Sequence, residues 1–193
     1  MMPRLSLRPC KQAIYMLLAK DSPLSEGKAV GVDFGCGAMP NRRVFRTQQY
    51  WGVELDQPTL QKGMKRYPEA RGVLSRIEDS VVPPADFALC ISVFAGTNFE
   101  KFGPHYDMKV LNAIVDRVAP GGILIVTFNP KKIGAELLGR LHAGFKSVTE
   151  IGIDLPSKPH SVLAPIVAYN YLRKGAPSTK PQRVYVRCEG KLA

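Results

Sequence analysis

Residues 30–40 read Val-Gly-Val-Asp-Phe-Gly-Cys-Gly-Ala-Met-Pro, and three local signals follow one another within them. The apolar run 29–33 predicts a β-strand that ends at Asp33. Gly35 and Gly37 permit a tight turn and a close approach of a ligand to the backbone. Pro40 is favoured in the first turn of a helix, whose N-terminus presents unpaired N–H groups. The segment therefore predicts a strand, a ligand-binding turn and a helix over 40–48.

Apolar, β-rich runs alternate with helical stretches along the rest of the chain. This alternation is typical of βαβ units, in which helices cover both faces of a mostly parallel sheet. The continuous apolar character of 87–94 and 122–128 suits strands that are buried on both sides. We predict further strands at 50–54, 72–75, 86–92, 122–128, 147–153 and 183–188, and further helices at 8–20, 58–66, 107–118, 132–142 and 161–172.

Length and composition indicate one ordinary globular domain. The 193 residues are 45% hydrophobic and 22% charged, which excludes bulk disorder and coiled coil. No apolar run approaches the roughly 20 residues that span a bilayer, and the N-terminus lacks the apolar core of a signal peptide. We therefore expect no membrane partner. The four cysteines are scattered without a CxxC pair, which indicates reduced thiols in a cytoplasmic protein and no metal site.

Positive charge is concentrated in the last third of the chain. The formal net charge is +11, and residues 131–193 hold eleven basic and four acidic residues, against eleven and ten in 31–130. Such a basic part favours an anionic partner such as phosphate or nucleic acid, although the same charge also serves solubility alone. Few aromatic residues interleave the basic ones, so base stacking is not indicated.

An acidic residue follows the second predicted strand at a useful distance. Glu54 lies 17 residues after Gly37, and its carboxylate offers acceptor oxygens to both hydroxyls of a ribose. A dinucleotide-binding G-x-G-x-x-G turn would need a glycine where Pro40 stands, which disfavours a nicotinamide cofactor. The phosphate-binding G-x-x-x-x-G-K-[ST] pattern does not occur.

Five short motifs in order resemble those of class I S-adenosylmethionine-dependent methyltransferases. They are Asp33-Phe-Gly-Cys-Gly37, Glu54 with Asp56, Ser75-Arg-Ile-Glu-Asp79, the run 86–93 and the run 119–125. The resemblance covers about residues 28–130. It implies a Rossmann-like, seven-stranded α/β fold in a single domain, 1–193. Residues 1–27 would form an N-terminal helix and loop, 28–130 a cofactor-binding core, and 131–193 a basic part that completes the sheet.

The resemblance also implies roles for individual residues toward S-adenosylmethionine. Gly35 and Gly37 would let the loop pass under the methionine part. Asp33 would help to hold the amino group, directly or through water, and Glu54 would bind the ribose hydroxyls. Ser92 would offer backbone groups near the methionine.

Further residues in these motifs are expected beside the same cofactor. Ile77 would flank the adenine and offer its backbone amide, and Glu78 would lie nearby. Many relatives carry an acid that contacts the adenine amino group where Arg76 stands here. Either Glu78 or Asp79 takes that role, or packing and backbone hold the adenine alone, with both acids solvated. Two more expected cofactor-binding residues are Cys36, which also reads as a small packing residue, and Leu55.

The motifs identify a methyl donor and leave the acceptor open. Residues 92–99 lack the [Asp/Asn]-Pro-Pro-aromatic motif of adenine-amino and glutamine-amide methylation. In the segment 94–107, His105 and Tyr106 are candidate general bases, and Asp107 is predicted to cap a helix. The length leaves little room for a separate target-recognition domain, so we expect a small-molecule or RNA acceptor, preferably anionic. The alternative is a non-catalytic protein on the same fold that binds cofactor or nucleic acid.

Overall fold

A single seven-stranded sheet forms the centre of the protein. The computed structural model describes residues 5–94, 105–156, 161–175 and 181–193, with the backbone alone in 131–134. The strands are β1 Val30–Phe34, β2 Gln49–Glu54, β3 Arg71–Leu74, β4 Ala85–Phe94, β5 Val118–Phe128, β6 Phe145–Ile153 and β7 Arg183–Lys191. Their order across the sheet is β3-β2-β1-β4-β5-β7-β6.

The sheet is mostly parallel, as predicted. Strands β1 to β5 pair in parallel, whereas β7 runs antiparallel to both β5 and β6. The order reverses at β1, where β2 and β4 lie on either side. In open α/β sheets, ligands bind at the carboxyl ends of the strands beside such a reversal. The sheet topology therefore predicts that a ligand would bind beside the residues that follow β1, β2 and β4.

Helices cover both faces of the sheet. They are α1 Pro9–Asp21, α2 Gln57–Arg66, α3 Tyr106–Asp116, α4 Pro130–Gly144 and α5 Ala164–Lys174. Helices α1, α2 and α5 contribute to one apolar core, and α3 and α4 contribute to the other. Strand β4 supplies alternate residues to the two cores, Phe87 and Leu89 to the first and Ala88 and Cys90 to the second. This alternation explains its unbroken apolar sequence.

The helix predicted over 40–48 is wrong, because only a short 3-10 turn forms there, at Arg42–Val44. Tertiary contacts compete with the helix at this point. The Phe45 ring lies against strand β1, where a Cβ atom at Gly31 would collide with it, and makes edge contacts with Tyr50 and Phe87. The chain thus turns directly into β2, and no helix N-terminus faces the glycine loop from this side.

The start of α3 also differs from its prediction. His105 occupies the N-cap position, so Asp107 lies within the first turn rather than capping it. The Asp107 side chain is buried, and neither of its oxygens has a hydrogen-bond partner among the described residues. Burial raises its pKa. The acceptor segment that we predicted before α3 lies, over 95–104, outside the described residues.

Within the described part of the chain, no helix has the length and apolarity that a membrane crossing requires.

Candidate functional site

The loop after β1 adopts the unusual backbone conformation that its glycines predict. Gly35, Gly37 and Met39 all have left-handed conformations, with φ of 70°, 54° and 55°. A Cβ atom at Gly35 would lie 2.5 Å from Cγ2 of Val93 in β4. Residue 35 must therefore lack a side chain for the loop to pass this close to β4. The loop exposes its backbone at the end of the sheet where ligands bind.

Two further glycines hold this loop close to its neighbours. A Cβ at Gly52 in β2 would lie 2.8 Å from Sγ of Cys36, and one at Gly63 in α2 would lie 2.8 Å from Cγ of Met39. The Cys36 amide also donates to the Val53 carbonyl at 2.9 Å. Burial raises the pKa of the Cys36 thiol, which stays protonated. Cys36 therefore packs as a small side chain, as one of its two predicted roles requires.

Glu54 connects the end of β2 to the glycine loop. Its Oε2 accepts from the Gly37 amide at 2.8 Å. Its Oε1 accepts from the amides of Leu55 at 2.8 Å and Asp56 at 3.0 Å. A carboxylate has about four lone-pair positions, so two oxygens that accept three amides retain about one position for a ligand hydroxyl. The side chain is half-buried and lines a cavity, which places it where the sequence predicts.

Asp33 lies deeper than expected. Its side chain is completely buried, its Oδ2 accepts from the Tyr50 hydroxyl at 3.2 Å, and its Oδ1 has no hydrogen-bond partner among the described residues. Desolvation raises the pKa of Asp33 to about 7, with the Glu54 charge adding to the rise and the side chains of Tyr50 and Asn41 opposing it. Asp33 lines neither of the two cavities at this end of the sheet.

The end of β4 lies beside the glycine loop and has an irregular backbone. Ser92 has φ of 68°, a strained value for a non-glycine residue, where the pairing of β4 with β5 shifts register between Cys90 and Phe94. The hydroxyl of Thr127 in β5 accepts from the Ser92 amide at 2.9 Å, which stabilises the irregularity. The Ser92 side chain is exposed and faces the same region as the glycine loop.

Two cavities meet at the carboxyl ends of β1 and β4, where Gly35, Ile91 and Ser92 line both. The β2–β3 cavity, of about 410 Å³, is lined further by Glu54, Leu55, Ser75, Arg76, Ile77 and Tyr106. The α1 cavity, of about 300 Å³, is lined further by Lys11, Tyr15, Cys36, Gly37, Asn41 and Arg66. The structure thus brings together most of the predicted cofactor-binding residues along one continuous path.

Arg76, Tyr106 and Glu78 form a cluster of side chains beside the β2–β3 cavity. The Glu78 carboxylate is 2% exposed, and it lies 3.8 Å from Nε of Arg76 and accepts from the Tyr106 hydroxyl at 3.4 Å. Glu78 is near the cavity but does not line it. Burial and the Glu78 charge raise the pKa of Tyr106, so its phenol stays protonated at neutral pH. His105 is exposed and lines neither cavity, and Asp79 is exposed.

The residues that close the α1 cavity were not predicted from the sequence. Lys11 and Tyr15 come from α1, Asn41 from the 3-10 region and Arg66 from the end of α2. No local motif marks them, since only the packing of α1 against the sheet brings them to the glycine loop. Two cations and no acidic residue line this cavity, so it favours an anionic group.

Comparisons with known proteins find similarity at the level of structure. No model of a known protein family matches the sequence, and no curated protein matches it significantly. An rRNA methylase from Streptococcus thermophilus has a TM-score of 0.58 at 13% identity, with 94% of this chain and 97% of that one covered. The N-methyltransferase NodS from Bradyrhizobium japonicum WM9, in complex with S-adenosyl-L-homocysteine, has a TM-score of 0.64 at 13% identity, with 95% and 88% covered.

A TehB-like methyltransferase from Corynebacterium glutamicum has a TM-score of 0.61 at 14% identity, with 90% of this chain and 87% of that one covered. At these identities the similarity establishes architecture, and it extends over nearly the whole of each chain. The strand order and the antiparallel β7 agree with it. The protein therefore has the class I methyltransferase fold.

Proposed function

We propose that this protein is an S-adenosylmethionine-dependent methyltransferase. The observation that carries the proposal is the placement of Glu54, a half-buried carboxylate at the end of β2 beside a glycine loop that leaves its backbone exposed. The carboxylate suits a ribose, and the exposed backbone of the loop suits the methionine part of the same cofactor. The two cavities that meet at Gly35 offer room on both sides of that point.

The residues present suit the two ends of this cofactor. The β2–β3 cavity has Leu55 and Ile77 for an adenine and Glu54 for the ribose hydroxyls. The α1 cavity has Lys11 and Arg66 for a carboxylate. When bound, S-adenosylmethionine supplies an electrophilic methyl group on a sulfonium.

Asp33 fits a supporting role beneath the loop. Because it lines neither cavity, we propose that it acts on the cofactor amino group through water rather than directly. Its buried Oδ1, which lacks a protein partner among the described residues, is the atom available for that water.

The acceptor is proposed to be a small molecule or an RNA, with anionic groups favoured by the basic surface. Methyl transfer needs a general base only when the nucleophile must lose a proton. Neither candidate base is supported by its surroundings, since Tyr106 stays protonated and His105 lies outside both cavities. We therefore favour an acceptor atom that can attack the methyl group without first losing a proton to a general base. A cytoplasmic location remains a prediction.

Calorimetric titration with S-adenosylmethionine and S-adenosylhomocysteine tests the donor site. We expect micromolar binding of both, and a loss of about 10- to 150-fold in affinity for Glu54→Gln, because a hydrogen bond to a charged group contributes about 1.5–3 kcal/mol. The control Glu136→Gln removes an exposed carboxylate from α4 and should bind normally. Equal affinity in both variants would contradict the ribose assignment.

Activity is tested separately by transfer of labelled methyl groups to RNA and small-molecule fractions. Methylation that Glu54→Gln reduces would support the enzyme. Tight cofactor binding without methylation of any fraction would favour the alternative, a non-catalytic binding protein on this fold.

A further inference from the structure

Helix α5 presents an apolar surface to solvent. Val162, just before the helix, is 82% exposed, and Ile166 and Tyr169 within it are 59% and 56% exposed. Positions 162, 166, 169 and 173 are spaced by three or four residues, so they lie along one side of the helix. Ala164 and Ala168, on the other side, are fully buried. Tyr171 and Leu172 also pack against the core, so α5 has apolar side chains both on its buried side and on the side that faces solvent.

The N-terminal segment extends this surface. Leu5 and Leu7 are exposed, and the Leu7 carbonyl accepts from the Ser161 amide at 2.7 Å, directly before α5. The Cys10 amide at the start of α1 donates to the Pro156 carbonyl at 3.3 Å, a second connection between the same two parts. We call the combined surface the α5 face, and it consists of Leu5, Leu7, Val162, Leu163, Ile166 and Tyr169.

Cations accompany the α5 face without acidic neighbours in sequence. Arg173 and Lys174 are exposed at the C-terminal end of α5, and Arg8 and Lys11 are exposed beside the N-terminal segment. The sequence has no acidic residue before Asp21 and none between Asp154 and Glu189. The two acid-free stretches are the ones that pack together here, as α1 and α5 contact each other.

We propose that the α5 face binds the surface of a membrane that contains anionic lipids. Exposed aliphatic side chains and a tyrosine next to lysine and arginine are the composition of helices that lie in a bilayer interface. The cations attract the lipid headgroups, and the apolar side chains enter the boundary between headgroups and acyl chains. This proposal revises the expectation of no membrane partner while keeping the absence of a spanning segment. It does not depend on the methyl donor.

Two other occupants suit the face less well. A second copy of the chain would place one cationic face against another, and like charges repel. Single-stranded nucleic acid binds to surfaces that combine cations with aromatic side chains on which bases stack. The aliphatic side chains of Val162, Leu163 and Ile166 offer no such stacking. An anionic lipid surface satisfies both the charge and the apolar side chains.

Flotation of the full chain with vesicles tests the proposal. We expect the protein to float with vesicles of equal parts phosphatidylcholine and phosphatidylglycerol and to remain unbound with phosphatidylcholine alone. Leu163→Ser with Ile166→Ser should lower the partition constant for the vesicles about tenfold or more, because two apolar side chains no longer enter the bilayer. The control Val81→Ser, at an 86% exposed apolar residue in the β3–β4 connection, should bind normally. Unchanged thermal unfolding would show that both variants fold.

A charge series separates the electrostatic part of the interaction. Arg173→Gln with Lys174→Gln should weaken binding several-fold, and Lys62→Gln with Lys65→Gln, two exposed cations on α2, should not. The proposal is overturned if wild-type protein ignores anionic vesicles, or if the apolar and control variants bind alike. It is also overturned if the apolar substitutions instead abolish self-association or RNA retention.

Discussion

At the scale of single residues, two carboxylates near the glycine loop have opposite surroundings. Glu54 is half-buried and accepts three backbone amides, so both of its oxygens have backbone donors. Asp33 is completely buried and accepts one tyrosine hydroxyl. Burial without full hydrogen bonding disfavours the charged form, which is why the pKa of Asp33 rises to about 7.

The raised pKa of Asp33 predicts a pH-dependent stability. The folded protein retains a proton that the unfolded chain releases between about pH 4, the ordinary range of aspartate, and about pH 7. The free energy of unfolding should therefore fall as the pH rises through that window. Asp33→Asn removes the ionisation and should reduce this fall, as urea unfolding at pH 5 and pH 8 would measure. Asp107→Asn is the comparison, because burial raises that pKa in the same direction. An identical pH dependence in Asp33→Asn and wild type would contradict the assignment.

At the scale of elements, α2 holds the glycine loop in place. Gly63 on α2 lies beneath Met39, and Asp56 caps the helix by accepting from the Thr59 amide at 2.9 Å. The helix is therefore positioned at its start by the cap and along its length by contact with the loop. A change in how α2 packs should reach the candidate site through Met39 in the loop and through Arg66, which lines the α1 cavity from the end of α2.

Gly63→Ala should destabilise the protein although alanine is the better helix former. Its Cβ would lie 2.8 Å from Cγ of Met39 and 3.1 Å from the Ala38 backbone, and such overpacking typically costs about 1–3 kcal/mol. The matched control is Gly139→Ala in α4, where nothing lies within 4 Å of the added Cβ. That variant should gain about 0.5–1 kcal/mol from helix propensity. Thermal and urea unfolding compare the two, and we expect only Gly63→Ala to weaken cofactor binding. Stabilisation by both substitutions would disprove the close packing.

At the scale of the whole molecule, a polar cluster joins the two ends of the chain. Asp21, at the end of α1, accepts from the Tyr185 hydroxyl at 2.7 Å and from the Arg187 guanidinium at 3.0 Å, both on β7. Tyr185 is fully buried and Asp21 nearly so. Because α1 supplies Lys11 and Tyr15 to a cavity, β7 helps to position part of the site through this cluster.

Tyr185→Phe should lower the free energy of unfolding by about 1–3 kcal/mol, because a buried carboxylate then loses one of its donors. Tyr169→Phe, which removes an exposed hydroxyl on α5, should change it by less than about 0.5 kcal/mol. Urea unfolding measures both. Equal stability of the two variants would show that the Asp21 carboxylate does not need the tyrosine.

The sheet and the central residues of the candidate site were predictable from the sequence. Strands buried on both faces leave continuous apolar runs, so β4 and most of β5 were predictable from the runs 87–94 and 122–128. Glu54 and the glycine turn were predictable because parallel strands bring their carboxyl ends to one edge. These signals lie within short segments of the sequence. The sheet topology then brings those segments close together.

Features that depend on tertiary contacts were not predictable from local signals. Pro40 predicted a helix, but the chain forms a 3-10 turn instead. Burial of the Phe45 ring over Gly31 stabilises this conformation more than one short helix would. Lys11 reaches a cavity with Gly37 only because α1 packs beside the loop, and Leu7 meets Ser161 only because α5 returns to α1. Contacts between distant segments depend on the packing of whole elements, which the spacing of residues within one segment does not specify.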